Sequence, residues 1–276
     1  MYSKLLAPLN TPCPSLPPPL KWAGGKRWLL PRLAELWRGN TDRRLAEPFV
    51  GGLAVALGLQ PRNALLNDSN PHLISLYKWL QYGLDPGATG VTFANDSTVY
   101  YKNRLRFNEL IETGKADTAE AGALFYYLNR TGFNGLCRFN ADGFFNVPFG
   151  SYKTIPYRDA GRFADYREAL KGYDFRCGDF EALVLRKSDF VYADPPYDVE
   201  FTSYSAGGFD WNDQVRLAKW LSKHPGPVVA SNQATKRVLQ LYRSHSFTVT
   251  TLDAPRRISC DGNRDDAREM LATLNL

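Results

Sequence analysis

Short β-prone segments alternate with apolar helical segments in two separate stretches of this 276-residue chain. The first stretch predicts, in order, strand, helix, strand and helix at 45–47, 53–59, 64–66 and 73–80. The second predicts strands at 189–193, 227–231 and 246–252, with helices at 212–223 and 236–242. Because parallel strands need helical crossovers, this alternation predicts an α/β protein, with a mostly parallel sheet and helices on both of its faces.

The region between these stretches, about residues 82–170, lacks that rhythm and predicts helices only around 100–112 and 118–130. The segment Arg130–Arg162 is loop-rich, and it carries five cations against two acids among seven aromatic residues. Its cations are Arg130, Arg138, Lys153, Arg158 and Arg162. Cations interleaved with aromatic rings suit a nucleic-acid surface, and the net charge of +6 is compatible with a polyanionic partner. The alternative is a small domain with an aromatic core and a solvated basic rim.

The composition excludes several classes of protein. Charges interrupt every apolar run before it is long enough to span a membrane. The four cysteines are scattered singly beside only three histidines, which argues against a zinc site and for a reducing compartment. Residues 1–20 contain six prolines and lack the pattern of a signal peptide, so we expect a flexible Pro-rich tail and a cytoplasmic protein.

The strand predicted at 189–193 runs directly into Asp194-Pro195-Pro196-Tyr197. Each proline fixes φ and removes an N–H, so the strand must stop there and Tyr197 lies in a stiff turn. A carboxylate, backbone carbonyls and an aromatic face then meet at the carboxyl end of a strand, where α/β sheets bind ligands. This set suits a planar exocyclic amine, whose N–H groups the oxygens accept while its ring stacks on Tyr197. An ordinary turn is the alternative for these four residues alone.

Two further strand ends indicate a nucleoside ligand. Glu47-Pro48-Phe49-Val50-Gly51-Gly52 forms a glycine turn that is neither a dinucleotide fingerprint nor a phosphate loop. Asp68 follows Gly51 by seventeen residues, close to the spacing of about 20 at which an acid binds ribose hydroxyls. Asp179 could accept from an adenine amine while Phe180 covers the ring. Each acid alone could instead cap a helix or form a turn.

Several separated motifs together resemble the Dam-type (D12 class, α-group) family of adenine-N6 DNA methyltransferases. In order, they are Lys21-Trp22-Ala23-Gly24-Gly25-Lys26, Glu47–Gly52, Asn67-Asp68, Leu128–Arg138, Phe145–Gly150, Gly178-Asp179-Phe180 and Asp194–Tyr197. The likeness runs from about residue 20 to the C-terminus. It implies a Rossmann-like sheet that binds S-adenosylmethionine (AdoMet), over 21–80 and 171–276, with an inserted, mostly helical DNA-recognition domain over 81–170 and a hairpin at 130–152.

The resemblance also implies roles for individual residues. The catalytic turn is Asp194, Pro195, Pro196 and Tyr197. The AdoMet-binding residues are Trp22, Lys26, Glu47, Pro48, Phe49, Gly51, Asp68, Asp179, Phe180 and Asp194. The DNA-binding residues are Lys21, Arg130, Phe133 as an intercalating ring, Asn134, Leu136, Arg138 and Pro148. Ser151 stands where some relatives have an arginine, and the loop after Tyr197 is shorter than in some relatives.

The function implied is methyl transfer from AdoMet to N6 of a flipped adenine in duplex DNA, within GATC, without a metal. Duplex DNA is then the partner, with a cognate restriction endonuclease as a second one. The alternatives are another adenine-containing site, a methyltransferase acting on cytosine N4, RNA or protein glutamine, a non-catalytic relative, and an oxidoreductase. Asp194 at the start of the turn favours adenine, and the absent dinucleotide fingerprint disfavours an oxidoreductase.

Overall fold

A computed structural model describes residues 16–154, 163–197, 208–254 and 267–276. Seven strands form one sheet in the order β3-β2-β1-β4-β5-β7-β6. They are β1 Leu45–Glu47, β2 Ala64–Asp68, β3 Tyr173–Cys177, β4 Phe190–Ala193, β5 Val228–Gln233, β6 Thr248–Ala254 and β7 Ala267–Leu274. The strands β3, β2, β1, β4 and β5 are parallel to one another, and β7 is antiparallel to both β5 and β6. The predicted mostly parallel α/β sheet is confirmed.

The order of the strands places a topological switch point beside β1. The chain moves from β1 outward to β2 and β3 on one side, and it then returns to β4 and β5 on the other. The crossovers leave β1 and β4 in opposite directions, so a crevice opens beyond their carboxyl ends, where ligands bind in folds of this type.

Helices cover both faces of the sheet. They are α1 Leu30–Trp37, α2 Ala54–Leu59, α3 Pro71–Tyr82, α4 Ser97–Glu112, α5 Ala119–Thr131, α6 Phe163–Ala169, α7 Trp211–Ser222 and α8 Lys236–Ser244. Side chains alternate along each strand, so in β1 Leu45 joins the core under α1–α6 and Ala46 the core under α7 and α8. Burial on both faces explains why the central strands β4 and β5 carry the continuous apolar runs Phe190–Ala193 and Val228–Ala230.

The segment between α3 and β3 packs on the same core as the sheet. Tyr100 of α4 and Leu124 of α5 belong to one apolar cluster with Leu66 of β2. After α5 the chain forms a hairpin-like segment, in which Gly132 pairs with Phe149 and Phe139 with Phe145. The proposed domain limits at 81 and 170 stay a prediction.

Most predicted elements are present, with ends shifted by a few residues. Four elements were missed, namely α1, β3, α6 and β7. The helices that were predicted after residue 70 begin with side-chain caps at Asn70, Asp96, Thr118, Asp210 and Thr235. By contrast, α1 follows Leu29, which offers no capping oxygen, and Pro31 in its first turn is a weaker start signal than a cap.

Some sequence features lie outside the described residues: the Pro-rich segment up to residue 15, Arg158 and Arg162 of the basic stretch, and the loop directly after Tyr197. No helix among the described residues has the length and apolar character needed to cross a bilayer.

Candidate active site

A cavity of about 560 Å³ opens at the carboxyl ends of β1, β2 and β4. It brings together the catalytic and cofactor-binding residues that the sequence suggested: Trp22, Lys26, Glu47, Pro48, Phe49, Gly51, Asp68, Asp179, Phe180, Asp194, Pro195, Pro196 and Tyr197. Within the four described ranges, no group of three or more histidine, cysteine or acidic side chains is placed to hold a metal ion. Carboxylates, aromatic rings, two cations and backbone groups line the cavity.

Asp194 is held in place by a hydrogen bond to one oxygen and an ion pair to the other. Ser231 of β5 donates to Oδ1 at 2.8 Å, and the Lys26 ammonium lies 3.1 Å from Oδ2. Burial raises the pKa of Asp194, and the Lys26 charge partly offsets that rise. Since a carboxylate offers about four lone-pair positions, each oxygen can still accept another hydrogen bond. Asp194 is thus an oriented acceptor with 19% of its side chain exposed.

Lys26 lines the cavity and also has a role that the sequence did not indicate. Only 3% of it is exposed, and its ammonium group lies between two carboxylates. The second carboxylate is Glu269 of β7, at 4.0 Å, and Lys26 also donates to the Gly24 carbonyl at 2.7 Å. Lys26 is therefore a buried counter-ion of Asp194, at the base of the cavity.

Tyr197 lies beside the same charged group. The Lys26 ammonium is 4.7 Å from the centre of its ring, a cation–π distance. Burial, followed by the charges of Asp194 and Glu269, raises the pKa of Tyr197, so its phenol stays neutral. Behind the turn, Gln214 donates to the Pro196 carbonyl at 2.8 Å and accepts from Asn232 at 2.9 Å. Partners thus hold the turn at the Asp194 carboxylate, the Pro196 carbonyl and the Tyr197 ring.

Glu47 carries a polar atom with no partner. It lies at the end of β1, is 2% exposed, and its Oε1 is buried without a hydrogen bond from any described residue. Burial, then the charge of Asp194, raises its pKa, and the Ala56 N–H opposes that rise. A buried acceptor without a donor is costly unless a ligand supplies one. Glu47 therefore indicates that a ligand with N–H or O–H groups completes this part of the cavity.

The glycine turn after Glu47 lets Trp22 approach the backbone. A Cβ on Gly51 would lie 2.7 Å from the indole nitrogen, and one on Gly52 would lie 2.7 Å from Trp22 Cβ. Gly51 also has φ of +45°, which a side chain disfavours. Only glycine at both positions lets Trp22 form a wall of the cavity.

Asp68 is positioned by the two turns that surround it. Its oxygens accept from the Gly51 and Asn70 N–H groups, both at 3.0 Å. The preceding Asn67, 2% exposed, donates to the Pro48 and Gly178 carbonyls, and so ties together the turns after β1 and β3. Burial raises the pKa of Asp68, and the backbone donors oppose the rise. The carboxylate of Asp68 is therefore fixed where it lines the cavity, and its remaining lone pairs can accept hydrogen bonds from a ligand.

Asp179 and Phe180 share a partner that the sequence analysis did not include. Arg216 of α7 donates to Asp179 at 2.6 Å, and its guanidinium lies 4.7 Å from the centre of the Phe180 ring. Burial alone would raise the pKa of Asp179, but bonds from Arg216 and the Glu181 N–H hold it below its usual value. One oxygen of Asp179 is therefore already engaged by Arg216.

The predicted DNA-binding residues lie on the hairpin and beside it. Phe133 is 49% exposed, although it is a large apolar ring. The Phe133 N–H donates to the Pro148 carbonyl at 2.9 Å, which brings the two halves of the hairpin together. Arg138 donates to the Asn146 side chain at 2.7 Å. Lys21 joins this surface through its ammonium group, 3.5 Å from the centre of the Tyr152 ring.

A family model described as D12 class N6 adenine-specific DNA methyltransferase matches residues 22–258. This chain belongs to that class. The Retron Ec67 DNA adenine methylase of Escherichia coli is 36% identical to it over 263 residues, covering 92% of this chain and 90% of that protein. The DNA adenine methylase of Vibrio cholerae is 37% identical over 271 residues, covering 92% and 94%. The Type II methyltransferase M.MjaIII of Methanocaldococcus jannaschii is 33% identical over 277 residues, covering 90% and 94%.

Membership of the D12 class confirms the family resemblance and decides between the alternatives. The protein is an adenine-specific DNA methyltransferase, which excludes the oxidoreductase and the enzymes acting on RNA, protein or cytosine. The class and the fold imply AdoMet as the methyl donor. The cavity suits such a ligand, since Glu47 Oε1 has no donor among the described residues and Asp68 is a fixed acceptor beside aromatic walls.

Three cavity-shaping residues of this adenine methyltransferase escaped the sequence analysis: Ser231, Glu269 and Arg216. Ser231 lies inside β5 and carried a weak signal, as the first polar residue after the apolar run Val228–Ala230. Glu269 lies in β7, which was not predicted, and Arg216 is one of several charges on α7. No local pattern distinguishes the last two, because the partners that tie them to the cavity, Asp179 for Arg216 and Lys26 for Glu269, lie far along the chain.

Proposed function

We propose that this enzyme methylates N6 of adenine in the duplex sequence GATC, after the adenine has left the double helix. The observation that carries the proposal is the position of Asp194, an oriented acceptor at the edge of the cavity beside the Tyr197 ring. An amine inside a duplex cannot reach such a group, so extrusion of the base is required, at a cost of a few kcal/mol. The exposed Phe133 ring supports this, because it could fill the gap that the base leaves.

The chain's own part in the reaction is to prepare the amine. The nitrogen lone pair of adenine is delocalised into the ring, which makes the amine a poor nucleophile. Asp194 and the Pro195 carbonyl would each accept one N–H, favouring a pyramidal nitrogen with a localised lone pair, while Tyr197 stacks on the base. Such fixed acceptors act mainly through position and electrostatics. Asp194 must be ionised for this role, and Lys26 favours that state.

AdoMet supplies an electrophilic methyl group when it is bound. We propose that Asp68 holds its ribose, Asp179 and Phe180 its adenine, and the Glu47–Gly51 turn with Trp22 its methionine part. Glu47 would then gain the donor that Oε1 lacks among the described residues. Arg216 would act indirectly, by fixing the carboxylate of Asp179.

Base reading is assigned to Lys21, Leu136, Arg138 and Pro148. Two N–H groups of Arg138 bond to Asn146, which holds its guanidinium and leaves other donors of the fork for a guanine. Pro148 is exposed and Leu136 half-buried, so their apolar surfaces could contact a thymine methyl group. Ser151 is exposed, so a contact that arginine makes in some relatives would be missing here.

Arg138→Ala should reduce discrimination against a changed guanine by about 5- to 150-fold, because a bidentate arginine–guanine contact contributes about 1–3 kcal/mol. Non-specific DNA affinity should fall much less. Single-molecule sequencing of DNA methylated by the wild-type enzyme and the variant measures both target and fidelity. Arg32→Ala is a matched control, since it removes an exposed arginine of α1. A dominant wild-type motif other than GATC, or unchanged fidelity in Arg138→Ala, would contradict the proposal.

DNA affinity should decrease as the pH rises through the titration of Lys21. Burial, then the nearby Arg130 charge, lowers the pKa of Lys21 to about 8. DNA favours the protonated ammonium, so above about pH 8 Lys21 must take up a proton when DNA binds. The affinity for DNA therefore falls from about pH 8 toward about pH 10. Lys21→Arg should flatten this dependence, because a guanidinium stays charged. Fluorescence anisotropy at constant ionic strength measures it, and parallel pH curves for the two proteins would count against Lys21 as a DNA contact.

The biological setting is also a proposal. A DNA-methylating enzyme works where the DNA lies, so we propose the cytoplasm, in association with the nucleoid. One relative is named a Type II methyltransferase. The same role here would require a cognate restriction endonuclease that GATC methylation blocks. Digestion of host DNA with nucleases that differ in sensitivity to methylated GATC tests whether the site is protected.

A further inference from the structure

Asn129 is a fully buried amide in the last turn of α5, and each of its polar groups is used. Its oxygen accepts from the Lys21 N–H at 2.9 Å, and its nitrogen donates to the Lys21 carbonyl at 2.9 Å. The same nitrogen donates to the Gly135 carbonyl at 3.0 Å. One side chain therefore joins three backbone groups from two separate segments of the chain.

The two segments have different tasks in the proposed function. Lys21 directly precedes Trp22, a wall of the AdoMet cavity, and lies five residues before Lys26, the counter-ion of Asp194. Gly135 directly precedes Leu136, the first of the hairpin residues assigned to base reading. Asn129 is therefore bonded both to Lys21, the residue before the cavity wall Trp22, and to Gly135 of the hairpin.

The contacts around Asn129 fix the direction of the Lys21 side chain. Pairing with both the N–H and the C=O of one residue sets the orientation of its peptide groups. Gly135, at φ of +65°, packs against Lys21 so closely that a Cβ would overlap its side chain. The Lys21 ammonium then rests on the Tyr152 ring, whose hydroxyl donates to the Gly132 carbonyl at 2.9 Å. Lys21 has little freedom to point elsewhere.

We infer that Asn129 is a positioning residue that places Lys21 for base reading. The inference rests on the proposed function, because Lys21 must contact DNA. It goes beyond that function by assigning sequence discrimination to a buried amide that touches neither DNA nor cofactor. A purely structural amide would affect stability alone, whereas a positioning amide affects the choice of sequence.

The test compares Asn129→Leu with a matched variant, Asn103→Leu. Asn103 is also a buried amide of the same segment, but its side chain donates to the Thr92 carbonyl, and in the described part of the chain it has no hydrogen bond to Lys21 or Gly135. Three quantities are measured: AdoMet affinity without DNA by calorimetry, KM and kcat on a GATC duplex, and the ratio of kcat/KM between GATC and a duplex with its first base pair changed.

Asn129→Leu should retain AdoMet affinity, raise KM for DNA, and lower discrimination to about the level of Lys21→Ala, while Asn103→Leu keeps wild-type discrimination. The double variant with Lys21→Ala should discriminate no worse than Lys21→Ala alone, because residues that act through one another are not additive. Equal behaviour of the two leucine variants, or additive losses, would overturn the inference.

Gly135→Ala provides a second route if Asn129→Leu does not fold. It displaces Lys21 from the opposite side and leaves Asn129 intact, so it should cause the same loss of discrimination; unchanged discrimination there would also overturn the inference. Failure of the proposed function gives a different result, since the wild-type enzyme itself would then show no preference for GATC. In that case, each of the single variants Lys21→Ala and Asn129→Leu should still lower DNA affinity in an anisotropy assay. A loss of affinity in Lys21→Ala but not in Asn129→Leu would contradict the role of Asn129.

Discussion

Asp194→Asn should lower kcat by about 10³-fold, a magnitude typical of losing one fixed group that stabilises a transition state. Asparagine keeps the size of the side chain and can still accept from Ser231, but it loses the charge that Lys26 faces and the oxygen that would accept an adenine N–H. Single-turnover measurements with a saturating GATC duplex isolate this chemical step from binding.

The matched control is Asp85→Asn. Asp85 is an exposed acid whose oxygen accepts only the Gly87 N–H in the described part of the chain, a bond that asparagine can also accept. Its turnover should equal that of the wild type. A folded Asp194→Asn enzyme with near-normal turnover would show that the acceptor for the amine lies elsewhere.

Lys26→Met should lower kcat near pH 7 by about 10²-fold or more and shift its acid limb to higher pH, since Asp194 must be ionised to accept the amine. Lys26 is the neighbouring charge that opposes the burial-induced rise in the pKa of Asp194. Without it, the acid stays protonated to higher pH. A pH profile of kcat measures the shift.

Glu269→Gln is a control for Lys26→Met that should shift the acid limb in the opposite direction. Burial, and to a smaller extent the charge of Asp194, raises the pKa of Glu269. Because repulsion between two carboxylates is mutual, an ionised Glu269 on the other side of Lys26 also disfavours ionisation of Asp194. Removing the Glu269 charge should therefore move the acid limb of kcat to lower pH, opposite to the shift in Lys26→Met. Shifts of the same sign, or no shift in either variant, would contradict the role of Lys26 as the counter-ion of Asp194.

The stability of Lys26→Met should also depend on pH in a defined direction. In that variant, the pKa of Asp194 in the folded state lies further above its value in the unfolded state. At a pH between these two pKa values, folding is therefore coupled to the uptake of a proton by Asp194. The free energy of unfolding then falls relative to wild type as pH rises through the folded pKa, toward a loss of about 3 kcal/mol for an unpaired buried charge. Melting temperatures of both proteins across that pH range give the difference.

The parts of the fold that the sequence predicted are those with local causes. The strand at 190–193 is an apolar run that two prolines end, and α4 and α5 follow the capping side chains Asp96 and Thr118. Strand β7 had no such cause. Its residues Ala267–Leu274 include alanine, arginine, glutamate, methionine and leucine, which are strong helix formers. They form a strand because β5 and β6 bond to both of its edges, a tertiary effect that overrides local propensity.

The same limit applies to the candidate site. The carboxylates at strand ends could be recognised because parallel strands bring their carboxyl ends to one edge. The counter-ion role of Lys26 could not, since its partners Asp194 and Glu269 lie far along the chain. Asn129 and Lys21 are 108 residues apart, and a buried asparagine at a helix end otherwise reads as a local feature.

The most direct test of adenine methylation at GATC is to identify the methylated nucleoside. Duplex DNA with a single GATC is incubated with the enzyme and AdoMet carrying an isotope-labelled methyl group, then hydrolysed to nucleosides for mass spectrometry. A second duplex has both adenines of the self-complementary site, one on each strand, replaced by purine without the amine. We expect labelled N6-methyl-deoxyadenosine from the first duplex and no label from the second. Label in a cytosine, equal labelling of the two duplexes, or no label from a folded enzyme would contradict the account.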